Sequence, residues 1–416
     1  MRIVLITDDF YPNLGGISHT LTYLCKFFKD KEYKLYVFNP FISGKNIYRF
    51  PLKSSDKKIN FNLLKSRKFW KVIILAIWRL LGAKQVPFSH RLKIILYLLI
   101  KPKILSYITE KSIQFEPILK KLNPDVIFGG HSGGKILPLA FLVSKLYNLK
   151  LVSFAHGNDV IIHKRLSLRT YFYRNIDKFM VHTYSLKDMM KKMHNLDDNK
   201  FSIVRTGINL EDYNLYQTKE ELRNEFNIPK DIFVLLSVGR QVLRKKFDLV
   251  IRAVYEIKKR FPDLKLKYYL IGDGEATPML KELTKQLRLQ EEVIFLGECG
   301  VLKRNKFYKL SDLFLMPSAR EKNSIEGFGV VYLEANYYKV PVIGSKIIGV
   351  SESVVDGETG ILIKPNNLEE LIQKIIFLLE NEQVRKSMGE KGHQRVVEKY
   401  NWKNIINDYV DFFKNL

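Results

Sequence analysis

The sequence has only two cysteines among its 416 residues, Cys25 and Cys299, and they show neither C-x-x-C nor metal-ligand spacing. Their scarcity excludes a disulfide scaffold and points to a reducing, cytoplasmic compartment. No Asp-x-Asp occurs anywhere, which argues against a divalent metal held by paired carboxylates. Helix-turn-helix, zinc-finger and ribonucleoprotein signatures are absent, as are short repeats and low-complexity tracts. The N-terminal MRIVLITDDFYPN has too few apolar residues before Asp8 and Asp9 for a signal-peptide core and reads as a first buried strand. Acids are scarce too: 43 Asp and Glu face 69 Lys and Arg, a formal charge of +26. Such an excess implies an anionic partner, whether nucleic acid, anionic lipid or a phosphorylated ligand.

What is present is a folding chain of two domains. A length of 416 residues exceeds what one core usually supports, and 46% apolar content with 12% aromatics excludes general disorder. Short β-rich runs alternate with helical patterns, the signature of parallel sheets wrapped by helices. In the first half the expected strands are RIVLIT, KLYVF, DVIFGG, KLVSFA, KFMVHT and FSIVRT. After a polar stretch near residue 210, GINLEDYNLYQTK, which reads as a linker, the rhythm restarts with FVLLSVG, LKYYLIG, VIFLG, LFLMPS and VPVIGS. The closing NWKNIINDYVDFFKNL has apolar residues at helical spacing. The expected division is a domain over 1–210, a second over 211–398 and a C-terminal helix over 399–416 that packs back on the first.

One segment, 57–103, breaks the rhythm: it holds twelve Lys or Arg and no acid. Its uninterrupted apolar runs, 72–78 and 94–100, fall far short of the ~20 residues that span a bilayer. Trp70, Trp78 and Tyr97 among aliphatic residues and cations fit helices lying in a membrane interface, where each cation near anionic headgroups contributes about 1 kcal/mol. The other reading is of helices packed on the first sheet with a solvated basic rim. Nucleic-acid surfaces mix cations with polar and stacking residues rather than Leu and Ile runs, so nucleic acid is not an expected partner.

The stretch IEGFGVVYLEAN places Glu326 before a Gly-Phe-Gly turn and Glu334 eight residues on. A helix beginning near Gly329 exposes unpaired amides that form a seat for phosphate. Eight helical steps advance about 12 Å, so the acids can accept hydroxyls at two ends of a ligand with a phosphate between. A nucleotide-sugar has that layout. SVGRQVLRKKFDLVIRA sets Arg240 and Lys245 after a strand at the mouth of the second sheet, where open α/β sheets bind ligands, and two cations there can neutralise a diphosphate. His131, between glycines in GGHSGG, is either an acceptor-cleft residue or structural; His19, His163 and His182 have no partners at ligand spacing.

The ordered set YPNLGGIS, HGND, GRQVLRKK, LIGDGE, PSAREKNSIEGFGVVYLEA, PVIGS and GVSESVVDGETGILI resembles glycosyltransferase family 4 over nearly the whole chain. The resemblance implies an α/β GT-B fold, two Rossmann-like parallel-sheet domains facing a central cleft, the first meeting the acceptor and the second the nucleotide-sugar. It implies that Gly15 and Gly16 close over the donor diphosphate, that His156 lies beside the donor sugar, and that Asp159 orders the HGND loop. Arg240 and Lys245 grip the diphosphate, Glu326 contacts the sugar hydroxyls, Phe328 and Gly329 open the helix at the β-phosphate, and Glu334 binds the ribose. The chain departs from the family at Lys246, where Gly is usual, at Arg205-Thr206-Gly207 in place of Pro-Asn-Gly, and at YYKVPVIGS, which lacks a Cys-Gly before its Pro.

The resulting expectation is a retaining, hexosyltransferase-type enzyme without metal or other cofactor. It moves a sugar from a nucleoside-diphosphate-sugar to a hydroxyl of a lipid-linked or surface-polysaccharide precursor (lipopolysaccharide, capsule, O-antigen or glycolipid). It is expected in the cytoplasm, peripherally bound to the inner face of the cell membrane through its anionic lipids. The alternatives are a transferase acting on a soluble acceptor and a GT-B sugar-nucleotide epimerase.

Overall fold

The computed structural model describes the chain except residues 9–15, 29–32, 39–46, 51–118, 162–167 and 322–323. The basic segment 57–103 and Gly15 therefore lie outside the described residues. The chain divides into two compact units, Met1–Val204 with Lys414–Leu416, and Arg205–Phe413.

The first unit is a seven-stranded sheet in the order β3-β2-β1-β4-β5-β6-β7. Its strands are β1 (Arg2–Ile6), β2 (Lys34–Phe38), β3 (Ile47–Phe50), β4 (Val126–Gly129), β5 (Lys150–Ala155), β6 (Lys178–Val181) and β7 (Phe201–Ile203). The six strands expected here form and run parallel; the unexpected β3 pairs antiparallel to β2 at the edge. β1 and β4 read as continuous apolar runs because both of their faces are covered, and Ile3, Leu5, Ile127 and Phe128 are fully buried. Among the helices, α1 (Gly16–Phe28) follows β1, α2 (Ile136–Leu146) follows β4, and α3 (Leu168–Arg174) and α4 (Tyr184–His194) follow β5 and β6.

The second unit carries a six-stranded sheet in the order β10-β9-β8-β11-β12-β13, parallel throughout. It consists of β8 (Phe233–Val238), β9 (Leu266–Ile271), β10 (Val293–Gly297), β11 (Leu313–Leu315), β12 (Val342–Ser345) and β13 (Gly360–Ile363). The last strand was not among those expected. Nine helices are described here: α5 (Lys219–Glu225), α6 (Phe247–Arg260), α7 (Thr277–Gln286), α8 (Val301–Leu310), α9 (Val330–Tyr337), α10 (Val350–Ser353), α11 (Leu368–Glu380), α12 (Glu382–Lys399) and α13 (Trp402–Lys414). α6 buries Phe247, Val250, Ile251, Val254 and Ile257, the i, i+3, i+4, i+7 stripe of a helix lying on a sheet. In each sheet the strand order reverses at one place, between β1 and β4 and between β8 and β11, and such reversals open a crevice at the carboxyl ends.

The polar stretch read as a linker is packed into the second unit. Arg205 forks onto Asp408 of α13 with contacts of 2.7 and 2.8 Å, and the indole N–H of Trp402 donates to the carbonyl of Gly207 at 3.1 Å. Tyr213 and Asn209 are buried. Its polar composition conceals these interior partners, which lie far away in sequence.

An ion triad, largely buried at Asp312 and Arg223 and exposed at Lys219, fastens α5 to the sheet. Asp312, just before β11, pairs with Arg223 at 2.6 Å and Lys219 at 2.7 Å and accepts the backbone N–H of Val234 at 2.7 Å. Burial pushes its carboxyl up, but Lys219 and Arg223 together outweigh that and hold it below its ordinary value. Its contribution to stability is therefore complete above the ordinary carboxyl range and is lost as pH falls through it. Asp312→Ala, which leaves Arg223 buried without its carboxylate, should destabilise the protein by about 3–5 kcal/mol. Denaturant unfolding checks this; a change within experimental error would contradict it.

Candidate active site

In the second unit the loop after β8 turns at Gly239 and delivers four cations within seven residues: Arg240, Arg244, Lys245 and Lys246. Arg240 is exposed. Lys245 is 7% exposed and lies across Gly239, where an added Cβ would stand 2.2 Å from its ammonium nitrogen. Burial lowers the Lys245 pKa, the charge of Glu326 works against that, and Arg244 and Arg240 add to the lowering. The loop is braced on its neighbour by Gln241, whose amide side chain donates to the carbonyl of Gly272 at 2.8 Å.

Lys246 takes a left-handed backbone, φ +54°, at the N-cap of α6. That conformation is the physical reason glycine suits this position. Its ammonium pairs with Glu321 at 2.5 Å, so Lys246 is directed at a carboxylate, while Lys245 lies against Gly239 and feels the charge of Glu326. Arg244, which the sequence reading passed over, pairs directly with Glu326, and both side chains are largely buried.

Past β11, Gly329 caps α9 with φ +84°, and a Cβ there would meet the Tyr332 ring at 2.6 Å. Only glycine meets both demands. The amides of the first turn of α9 are thus presented at the carboxyl edge of the sheet beside Glu326. Phe328 is buried against Tyr400, with ring centroids 5.7 Å apart, so its part in opening the helix is to pack.

Glu334 has an environment the sequence did not suggest. One carboxylate oxygen accepts the phenol O–H of Tyr213 at 2.6 Å, and the other accepts that of Tyr308 at 2.6 Å. Arg304 stands 3.7 Å from the first. Burial and then the charge of Glu334 push both phenols well above their ordinary pKa. The charge of Glu334 is also felt by Lys245, so both acids belong to one electrostatic cluster with the cations of the β8 loop. Among the described residues no three His, Cys, Asp or Glu side chains converge as a metal site requires.

In the first unit, Gly16 begins α1. Asp159 organises two loops at the end of the sheet: its carboxylate accepts the backbone N–H groups of His156 at 2.9 Å, Gly157 at 2.8 Å and Ser132 at 2.8 Å. Three backbone donors fix both oxygens, and the HGND stretch is ordered by its own aspartate. His156 donates from Nε2 to the carbonyl of Gly130 at 2.9 Å. Burial depresses its pKa to about 3, so the ring is neutral at physiological pH, with the proton on Nε2 and Nδ1 as acceptor. His182, whose ring centroid is 5.4 Å away, is likewise depressed by burial to about 3. His131 resolves toward structure: Nδ1 accepts the Gly133 N–H at 3.2 Å and Nε2 donates to Asp8 at 2.5 Å, tying β1 to β4 at the strand-order reversal.

Comparison with known proteins bears on this geometry. The family model for Glycosyltransferase Family 4 matches residues 14–212, and that for Glycosyl transferases group 1 matches residues 218–395. The chain belongs to glycosyltransferase family 4, a transferase of GT-B fold. An uncharacterized glycosyltransferase of Methanocaldococcus jannaschii is 25% identical over 407 residues, covering 97% of this chain and 95% of that protein. HepE of Anabaena, solved with UDP and glucose, has a TM-score of 0.68 at 16% identity with both chains fully covered. WaaG, a glycosyltransferase involved in lipopolysaccharide biosynthesis, has a TM-score of 0.66 at 16% identity with 99% of each chain covered.

The buried histidines yield a pH prediction. Because their folded pKa values lie below the unfolded value, the unfolded chain takes up protons first, and stability falls as pH drops from about 6.5 toward about 3. Melting temperature should decline between pH 7 and pH 5, and His182→Gln should flatten that decline. A wild-type melting temperature that is constant over this range would contradict the burial assigned to these rings.

Proposed function

We propose that the enzyme transfers a sugar, with retention at the anomeric carbon, from a nucleoside-diphosphate-sugar to an acceptor hydroxyl. The observation that carries this reading is the cluster of Arg240, Arg244, Lys245 and Glu326 beside the first turn of α9, at the carboxyl edge of the second sheet. A partly desolvated surplus of cations at that place suits a diphosphate.

In this reading Lys245, Arg240 and the α9 amides hold the diphosphate, Glu326 accepts the sugar hydroxyls, and Glu334 accepts the ribose hydroxyls. The bond from the anomeric carbon to the diphosphate oxygen breaks through an oxocarbenium-like state. The electron pair leaves with the diphosphate, whose charge the cations neutralise as it develops. The acceptor oxygen bonds to the same face of the sugar, and its proton passes to the departing phosphate oxygen. His156, neutral and fixed by Gly130, offers a hydrogen-bonding group beside the sugar, and Gly15 and Gly16 supply backbone that can approach the diphosphate closely. The cations and the helix start take the electrostatic part that a metal plays elsewhere, so no metal is required.

The acceptor is proposed to be lipid-linked or a surface-polysaccharide precursor, met at an anionic membrane surface. The acid-free, aliphatic and basic composition of 57–103 supports this, as does the fold shared with WaaG, involved in lipopolysaccharide biosynthesis. Among the described residues no helix is long and apolar enough to cross a membrane. UDP and glucose bound to HepE support a nucleotide-sugar donor.

The test is a thermal-shift and hydrolysis screen with UDP-, GDP- and ADP-sugars, with and without anionic vesicles. One donor should stabilise the wild type and be slowly hydrolysed, and Glu326→Ala and Arg240→Ala should each abolish hydrolysis or reduce it at least tenfold. Failure of every nucleotide-sugar to shift the wild type would overturn the reading. For the membrane part, charge removal at Lys65, Arg67, Lys68 and Lys71 should release the protein from anionic vesicles. Unchanged vesicle binding and unchanged transfer to a lipid acceptor would reject it.

A further inference from the structure

The two acids of the proposed donor site are held differently, and the difference is informative. Glu326 meets cations; Glu334 meets phenols. Its carboxylate, 5% exposed, takes one short hydrogen bond on each oxygen, from Tyr213 on one side and Tyr308 on the other. The phenols come from separate elements. Tyr213 lies on a single 3-10 turn, Leu210–Tyr213, and Tyr308 on α8. Each is itself locked: Tyr338 donates its hydroxyl to the backbone carbonyl of Tyr213, and the Tyr308 and Tyr338 rings stack at 6.3 Å. Arg304, one turn before Tyr308 on α8, faces both the carboxylate and the Tyr213 ring.

For stability alone this is a poor use of a core position, because apolar side chains of similar volume usually stabilise as well as or better than a buried charge. What two opposed phenols do achieve is to fix the plane of the carboxylate. Donors on opposite oxygens orient a carboxylate, which can accept about four hydrogen bonds in all. An acceptor pair fixed in one plane suits a vicinal diol, and its selectivity depends on both hydroxyls being there.

We propose that Tyr213 and Tyr308 are positioning residues that hold Glu334 for the 2′,3′-diol of a ribonucleotide, and that through it they set the preference of the donor site for ribose over 2′-deoxyribose. This rests on the nucleotide-sugar reading above and deepens it.

The experiment compares dissociation constants of UDP, GDP and ADP with those of their 2′-deoxy counterparts, for the wild type, Tyr308→Phe, Tyr213→Phe and Tyr268→Phe. The diphosphate that binds the wild type should bind about tenfold or more tightly than its deoxy form. Tyr308→Phe and Tyr213→Phe should reduce that ratio to about threefold or less, chiefly by weakening the ribonucleotide. Tyr268→Phe loses a buried phenol hydrogen bond, to Ser237 in the same unit, without touching Glu334 or either positioning residue, and should keep the wild-type ratio even if its melting temperature falls. If the two positioning variants weaken both nucleotides equally, or only melt earlier with the ratio intact, the phenols are packing groups and the inference fails while the donor reading stands. A wild type indifferent to the 2′-hydroxyl overturns it in the same way. A wild type that binds no nucleoside diphosphate sinks both.

Discussion

The structure of the second unit turns on the burial of charge at the place where its strand order reverses. Lys245 and Arg244 are withdrawn from water next to each other and next to Glu326, an arrangement that raises the energy of the protein alone because like charges in a poorly solvated site repel. The scaffold sustains it from several sides: the loop is braced by Gln241 on Gly272, the helix following it is fixed by the left-handed turn at Lys246, and the opposite carboxylate is fixed by the sharp entry into α9 at Gly329. In the proposed reading a dianionic ligand relieves the repulsion. Preorganised cations are worth most where water is scarce, since no reorganisation is then needed as charge develops on a leaving group.

The first unit does different work with the same economy of parts. One aspartate, Asp159, accepts three backbone N–H groups and so joins the loops after β4 and β5. The histidine held by that arrangement is neutral, because burial removes its charge and leaves one ring nitrogen as donor and the other as acceptor. A neutral imidazole so held gives this loop edge a hydrogen-bonding group without adding a positive charge.

Much of this could be read from the sequence, and the reasons differ by element. Strands such as FVLLSV and KLYVF were legible because parallel strands covered on both faces are continuous apolar runs. β3, IYRF, has no such run, since an antiparallel edge strand need not bury both faces, and β13, GILI, is four residues of a glycine-led turn motif. Glu326 and Lys245 stood out because their motif lies within one local stretch. Arg244 was one residue from notice, in LRKK, where only contact with a carboxylate 82 residues on distinguishes it. Tyr213 and Tyr308 were beyond reach, as their meeting with Glu334 joins residues 121 and 26 positions apart, and a tyrosine in a polar stretch carries no local mark of a buried hydrogen bond. The same holds for the supposed linker around residue 210, whose interior partners on α13 are 195 and 203 residues downstream.

The most direct test of the central claim is a crystal structure of the protein with an intact nucleotide-sugar or its nucleoside diphosphate. The account predicts the diphosphate within hydrogen-bonding distance of the Lys245 ammonium and the first amides of α9, and the sugar hydroxyls on Glu326. A diphosphate seated elsewhere, with the Arg244–Glu326 pair and Lys245 untouched by the ligand, would contradict it.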